Sequence, residues 1–327
     1  MVMRERIQNK GVALIMALMV FALIAAVSAT IMSQLARERS LISQLQETAI
    51  LKQQLLGGEA WARATFTGME NSTLPSASEA PLILKKQSFN LDNEDDSMSV
   101  IMIDRQNCYN LNRLADEELS EQALQEVERL LTEIGLDKTL AEQLKDWVDA
   151  DQNITGNTGH EDEFYQGLTP SFRTADSHFI AETELKLLQF TDKTITTLLS
   201  HFCFWPQDIG ININRVSTQI IKSMLPGLDA AKESALLAQI TTGGFSSLSD
   251  FINHDSVSGI TLNEEDWRLD LALVDVFVDV TLGGRSMFLH SKLYKQDSGS
   301  VVSYYRAYGP NQQLQKWFGL TLKTTSK

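Results

Sequence analysis

Residues 146–165 carry more potential chemistry than any other stretch of this chain. They read Asp-Trp-Val-Asp-Ala-Asp-Gln-Asn-Ile-Thr-Gly-Asn-Thr-Gly-His-Glu-Asp-Glu-Phe-Tyr. So many carboxylates in so short a span repel one another unless water or a cation neutralises them. Asp149, Asp151 and Asn153 stand at the first, third and fifth positions of an EF-hand calcium loop. Ile154 then occupies the sixth position, where that loop turns on Gly, and His160 the twelfth, with Glu161 one step late. The stretch is therefore no EF-hand, but it can form an irregular oxygen cage closed by Glu161 and Asp162. Short carboxylates mixed with Asn, Thr and Gly suit Ca²⁺ better than Mg²⁺ or Zn²⁺. The plainer alternative is a solvated acidic loop with no ion.

Other chemistries find less support. His160-Glu-Asp-Glu-Phe164 approaches the H-E-x-x-H zinc motif, but Phe164 stands where the second histidine is needed. His178, His201, His254 and His290 are scattered, with no partner at ligand spacing. There is no nucleophile elbow, phosphate-cradling loop or dinucleotide fingerprint. Paired carboxylates for glycoside hydrolysis could be drawn from the acidic loop, yet nothing selects them over ion ligands. A net charge of −14 argues against a nucleic-acid partner, which needs a basic face.

A helix over Leu140–Val148 leads into the loop. It belongs to a helical middle, about residues 105–265, that holds a weak internal repeat. Cys108-Tyr-Asn-Leu-Asn-Arg-Leu114 resembles Gly210-Ile-Asn-Ile-Asn-Arg-Val216, and each is followed by a helix, a Gly-Leu-Asp (135–137 and 227–229) and another helix. The second copy resembles helix-hairpin-helix modules, many of which bind the DNA backbone. Its hairpin offers one Gly followed by Leu and Asp in acidic surroundings, which favours a packing role over phosphate binding.

Strand patterns flank this middle at 82–91 and 99–104 before it, and at 271–282, 286–295 and 301–308 after it. The last three form an antiparallel meander turning at Gly283-Gly284 and at 297–299. Residues 70–81 read as a connecting loop and 92–96 as a solvated acidic turn. Cys108 and Cys203 are a candidate disulfide pair, an even number in a compartment that oxidises thiols.

The N-terminus says which compartment that is. No charge occurs between Gly11 and Ala36, a run long enough to cross a bilayer as a helix, and Arg4, Arg6 and Lys10 precede it. Positive residues stay on the cytoplasmic side, so everything after Arg37 lies outside. An uncleaved signal anchor and a signal peptide cut near Val27-Ser28-Ala29 both fit the first forty residues. A third reading starts from Lys10-Gly11-Val12, a basic leader ending in Gly directly before the apolar run. Apolar residues then continue at Leu35, Leu41, Ile42, Leu45, Leu55, Leu56 and Trp61 without a proline until Pro75, describing one helix continuing out of the membrane. A cleaved secretory protein has no need of such a rod. With 43% hydrophobic and 21% charged residues, the chain beyond the rod can build a sizeable core.

The Lys10-Gly11-Val12 leader, residues 103–112 (IDRQNCYNLN), 146–151 (DWVDAD), 159–165 (GHEDEFY) and 212–214 (NIN) together resemble the K-type minor pseudopilins of type II secretion systems. The resemblance covers nearly the whole chain. It implies an α+β fold in which a pilin-like N-terminal transmembrane helix packs on an antiparallel sheet that carries a large inserted α-helical domain. On that reading residues 1–11 are a leader, 12–68 the helix, 69–104 with 266–327 the sheet domain, and 105–265 the insert, built of two related subdomains. It further implies cleavage between Gly11 and Val12 by a prepilin peptidase, followed by methylation. One or two Ca²⁺ ions are expected at Asp149, Asp151, Asn153, Glu161 and Asp162, where His160 stands in place of the Ala common in relatives. The implied setting is the bacterial inner membrane, single pass, with the C-terminal domain in the periplasm. The implied partners are the I and J minor pseudopilins, the H type and the major pseudopilin, and the inner-membrane secretion platform, with a place at the filament tip. Met16, the fifth residue after the cut, stands where most pilin subunits carry Glu. A membrane-anchored periplasmic hydrolase and a DNA-uptake pseudopilin are the rival classes.

Overall fold

A computed structural model of the chain describes residues 5–69, 83–91, 95–206, 209–296 and 298–309. Residues 1–4 of the leader, the loop at 70–81, the centre of the acidic turn at 92–94, and 310–327 of the sheet assignment lie outside these. By compactness the chain parts into Met1–Gln54 and Leu55–Lys327.

Helix α1 runs unbroken over Glu5–Thr67, as a stretch free of proline allows. Over residues 12–45 its apolar side chains face outward, with Leu14, Phe21 and Met32 among the most exposed. This part is long and apolar enough to cross a membrane. Gly11, Val12 and Met16 all lie on it. The last turns of α1 belong to the second unit, where Leu55, Ala62 and Phe66 are fully buried. Their spacing of seven and four places them on one stripe. Gly58 shares that stripe, and a Cβ there would come within 2.6 Å of Val278 Cγ1, so glycine is what lets the helix backbone approach the sheet.

After α1 the chain forms β1 (Ile83–Asn90) and β2 (Ser97–Asp104), then leaves the sheet. The first half of the insert comprises β3 (Tyr109–Asn110), α2 (Ser120–Glu133), α3 (Leu140–Val148), α4 (Asp162–Gln166), α5 (Asp192–His201) and β4 (Phe202–Cys203). The second half comprises β5 (Ile211–Asn212), α6 (Thr218–Met224), α7 (Ala230–Thr242), α8 (Leu248–Ile252) and β6 (Trp267–Arg268). Side-chain oxygens of Thr191, Ser217, Asp229 and Ser247 cap α5, α6, α7 and α8, which fixes where each helix starts. The chain returns as β7 (Leu273–Leu282), β8 (Arg285–Lys295) and β9 (Val301–Tyr308), the expected meander.

The sheet order is β1-β2-β7-β8-β9, antiparallel throughout. Asp104 lies opposite Val274, so the insert leaves and re-enters between neighbouring central strands. It extends to residue 272 rather than 265, because Trp267 and Arg268 pair in parallel with Ile211 and Asn212. The Gln106 carboxamide oxygen then takes the amides of Ala272 and Leu273. Alternation in β7 suggests one wet face, yet Leu273 to Val278 are buried on both. Val278 meets Gly58 of α1. Phe277, with Ile101 and Ile103, joins Tyr109, Trp147 and Phe251 of the insert in one core. Cys108 and Cys203 are disulfide-bonded, with Cα atoms 5.7 Å apart beside the parallel pairing of β3 with β4.

Candidate metal centre

Helix α3 buries Asp146 in its last turn and ends at Asp149, whose backbone is extended. Two carboxylates beside the carbonyl end of a helix oppose its dipole. Lys145 offsets part of this, with Nζ 3.0 Å from Asp149 Oδ2. The loop after α3 folds back over the helix. Asp146 Oδ1 accepts from the Thr155 amide at 3.0 Å. Glu142 accepts from the amides of Asn157 and Thr158 at 3.1 and 2.7 Å and from the Thr158 hydroxyl at 2.7 Å. Glycine makes this closure possible at two points: a Cβ on Gly156 would collide with the Glu142 carboxylate, and one on Gly159 with Asp146 Oδ2.

The closure delivers Glu161 to α3. One carboxylate oxygen from each of Asp146, Asp149 and Glu161 lies within 4.8 Å of the others. Glu161 is only 4% exposed. Neither of its oxygens, nor Asp149 Oδ1, has a hydrogen-bond partner among the described residues. Burial, then the negative charges of Asp146, Asp149, Asp176 and Asp151, push the Glu161 carboxyl up to about 8. Burial likewise raises Asp146 and Asp149. Tyr165 is fully buried beside them, its hydroxyl also without a hydrogen-bond partner, and burial together with Asp146 and Glu161 raises its titration. Trp147 and Phe172 pack against the Tyr165 ring at 5.3 Å, and His160 stacks on Phe164 at 3.6 Å, so the acids sit against an aromatic wall. An oxygen-only group with a surplus of negative charge and unfilled acceptors fits a hard divalent cation.

Of the expected ligands, Asp149 and Glu161 come together. Asp151 turns its Oδ1 to the Asn153 amide at 2.6 Å, and both residues are exposed. Asp162 accepts from the Thr174 amide and hydroxyl at 3.1 and 2.9 Å and pairs with Arg173. Asp146 completes the group, and Asp176 lies near enough for its charge to raise Glu161. Asp146 precedes Asp149 by three residues, the spacing that shares a helix face, so a signal existed. Asp176 adopts a left-handed φ of 45° and accepts from Thr174 Oγ1 at 2.6 Å and Gln152 Nε2 at 3.3 Å. Nothing in its sequence context marks it.

A second acidic group, Glu182, Asp275 and His290, is also tightly clustered. Here Lys292 Nζ lies 2.8 Å from Glu182, and Arg105 Nε 3.4 Å from Asp275. In the hairpin-like second half, Lys222 pairs with Glu133 and Glu233, and Lys232 donates to the Ser258 carbonyl, so its cations serve internal contacts.

The family described as type II secretion system (T2SS), protein K, matches residues 107–207 with its first domain and 211–271 with a second, the two halves of the insert. The chain is 29% identical over 317 residues to the type II secretion system protein K of Pseudomonas aeruginosa, covering 93% of this chain and 94% of the relative. It is 25% identical to that of Klebsiella pneumoniae, covering 76% of this chain and 81% of the relative. The fold is similar to a chain in the crystal structure of the GspK-GspI-GspJ complex from enterotoxigenic Escherichia coli. The TM-score is 0.63 and the identity 20%, over 81% of this chain and 99% of that one.

Proposed function

The chain belongs to the type II secretion system protein K family, and from that premise we propose that it works as a non-enzymatic minor pseudopilin at the tip of a periplasmic filament. The observation that carries this is α1: one uninterrupted helix, exposed and apolar over residues 12–35, whose last turns bury Leu55, Ala62 and Phe66 in the sheet domain. A helix of that kind anchors the subunit in the inner membrane and holds the sheet domain outside. A prepilin peptidase removes residues 1–11, leaving Val12 as the methylated N-terminus.

Met16 then decides the place in the filament. A carboxylate at the fifth mature position would neutralise the terminal amine of a neighbouring subunit, since an unpaired charge in hydrocarbon costs several kcal/mol. Met16 cannot supply that charge, which suits a subunit with no predecessor to compensate. The insert between β2 and β7 adds bulk that fits where nothing stacks above. The I and J minor pseudopilins are the proposed neighbours, by analogy with the complex solved for the similar chain. The H type, the major pseudopilin and the secretion platform complete the assembly.

Asp146, Asp149 and Glu161 are the residues that would hold Ca²⁺, with Asp151, Asn153, Asp162 and Asp176 around them. Bound there, the ion supplies positive charge and fixes the loop. Glu142 and Asp146 pre-form the cradle by gripping the backbone from Thr155 to Thr158.

Processing tests the proposal. In cells carrying the peptidase, the mature wild-type chain is expected to begin at Val12, and Gly11→Leu to retain residues 1–11. A wild-type chain beginning at Thr30, or still at Met1, would overturn it.

A further inference from the structure

The two halves of the insert share an asparagine clip. In the first, Asn112 Oδ1 accepts from the Phe179 amide at 2.7 Å and Asn112 Nδ2 donates to the Phe179 carbonyl at 3.0 Å. In the second, Asn214 does the same to Phe245, at 2.7 and 2.9 Å. The preceding asparagines match as well: Asn110 Oδ1 takes the Asn112 amide and Asn212 Oδ1 the Asn214 amide. Each clip follows a two-residue strand with a parallel partner, β3 with β4 and β5 with β6. The halves are thus copies of one module, with Asn112 and Asn214 in the same role.

What the clips hold differs. Asn214 reaches a residue 31 positions on, just past α7 and Gly243-Gly244. Asn112 reaches one 67 positions on, and between α3 and Phe179 the chain makes the excursion that contains Asp149 and Glu161 of the acidic group. One end of that excursion is fixed by α3 itself, through Asp146. The other is fixed at Phe179, three residues beyond Asp176. Asp176 in turn is bonded to Gln152 and Thr174, and Thr174 to Asp162, next to Glu161. Asn112 is 4% exposed and also donates to the Trp205 carbonyl at 2.9 Å, which fixes its carboxamide to the module core.

We infer that Asn112 is a positioning residue of the cation site: by clipping Phe179 it holds the returning half of the loop, Asp176 included, against α3. The inference rests on the proposal that the acidic group binds a divalent cation. Groups bonded directly to a metal ligand are worth about 10–100-fold in metal affinity, and Asn112, which acts one step further out through the backbone, is expected at the lower end of that range. Asn214, the same group in the copy without an excursion, is the internal control.

The experiment uses the full chain in detergent micelles and Ca²⁺ alone as probe. Calorimetric titration of Asn112→Ala is expected to show affinity at least about tenfold below wild type, whereas Asn214→Ala, which loses an equivalent clip and melts earlier, stays within about twofold. Because coupling is reciprocal, saturating Ca²⁺ should slow hydrogen exchange at the wild-type Phe179 amide more than at the Phe245 amide, which gains only the stabilisation shared by the whole fold. That second readout decides the matter even if Asn112→Ala does not fold. Wild-type binding with equal affinity in Asn112→Ala, or a Phe179 amide slowed no more than that of Phe245, would overturn the role of Asn112 alone. A wild-type chain that takes up no Ca²⁺ would remove both this inference and the cation site.

Discussion

Glu161 and Glu182 are the same residue type, both nearly inaccessible, yet their surroundings push them in opposite directions. Burial and neighbouring carboxylates raise Glu161 to about 8. Burial acts most strongly to raise Glu182, but Lys292 and His290 together prevail and hold that carboxyl below its ordinary value. Asp275 is held low in the same way, by His290, Arg105 and Lys292 against burial. The group at the sheet carries its own cations, contributed by β8 and by the first residue of the insert. The group at the loop has Lys145, already paired with Asp149. A buried acidic group matched by bases is an internal tie; one left with a deficit of positive charge has room for a cation from outside.

The largest effect is expected from breaking the closed group. Lys292→Met leaves Glu182 buried without its partner and should cost about 3–5 kcal/mol in chemical denaturation. Adding Glu182→Gln should recover part of that loss, since no unpaired charge then remains. The same double change would gain nothing if the pair were merely a surface contact.

Next comes Glu161→Gln, which sharpens the contrast. Without a cation, a carboxyl raised from 4.5 to about 8 stabilises the fold below its ordinary value, and that contribution is lost as pH rises through 8. In excess chelator at pH 8 the substitution should therefore raise the melting temperature by about 2–4 °C, the shift expected for ~1 kcal/mol in a domain of this size. In millimolar Ca²⁺ it should lower it. Melting curves in the two buffers that move in the same direction would contradict the distinction between the groups.

Glu59 is the intermediate case, a buried acid paired with Arg306, which is itself 40% exposed. Burial raises its titration, but hydrogen bonds from Arg306 and Arg63 prevail and depress it. The pair's contribution is present above the ordinary carboxylate range and lost as pH falls through the depressed value. Because solvent screens the arginine, Arg306→Ala should cost only about 0.5–1 kcal/mol at neutral pH, and less in acid.

The legible parts of this molecule were those with period or punctuation. The charge-free run from Gly11 to Ala36, the helix at Leu140–Val148, the three returning strands and the twin Asn-x-Asn motifs each carry their structure in local pattern. The acidic loop announced itself by density of charge. What stayed hidden depends on distant contacts. Two-residue strands have no periodicity, so the end of the insert at 272 was invisible. Asp176 comes near the acids through bonds to Gln152 and Thr174, in a segment whose Phe179 is bonded to Asn112 from 67 residues away. Lys292, in a strand of alternating pattern, gave no sign that it would be buried against Glu182.

The most direct test of the contrast is a melting curve of the wild-type full chain in excess chelator and in Ca²⁺ at 100 times its dissociation constant. The account predicts stabilisation of about 2.7 kcal/mol by the ion, abolished when Asp146, Asp149 and Glu161 are replaced together by their amides. Coincident wild-type curves in the two buffers would contradict it.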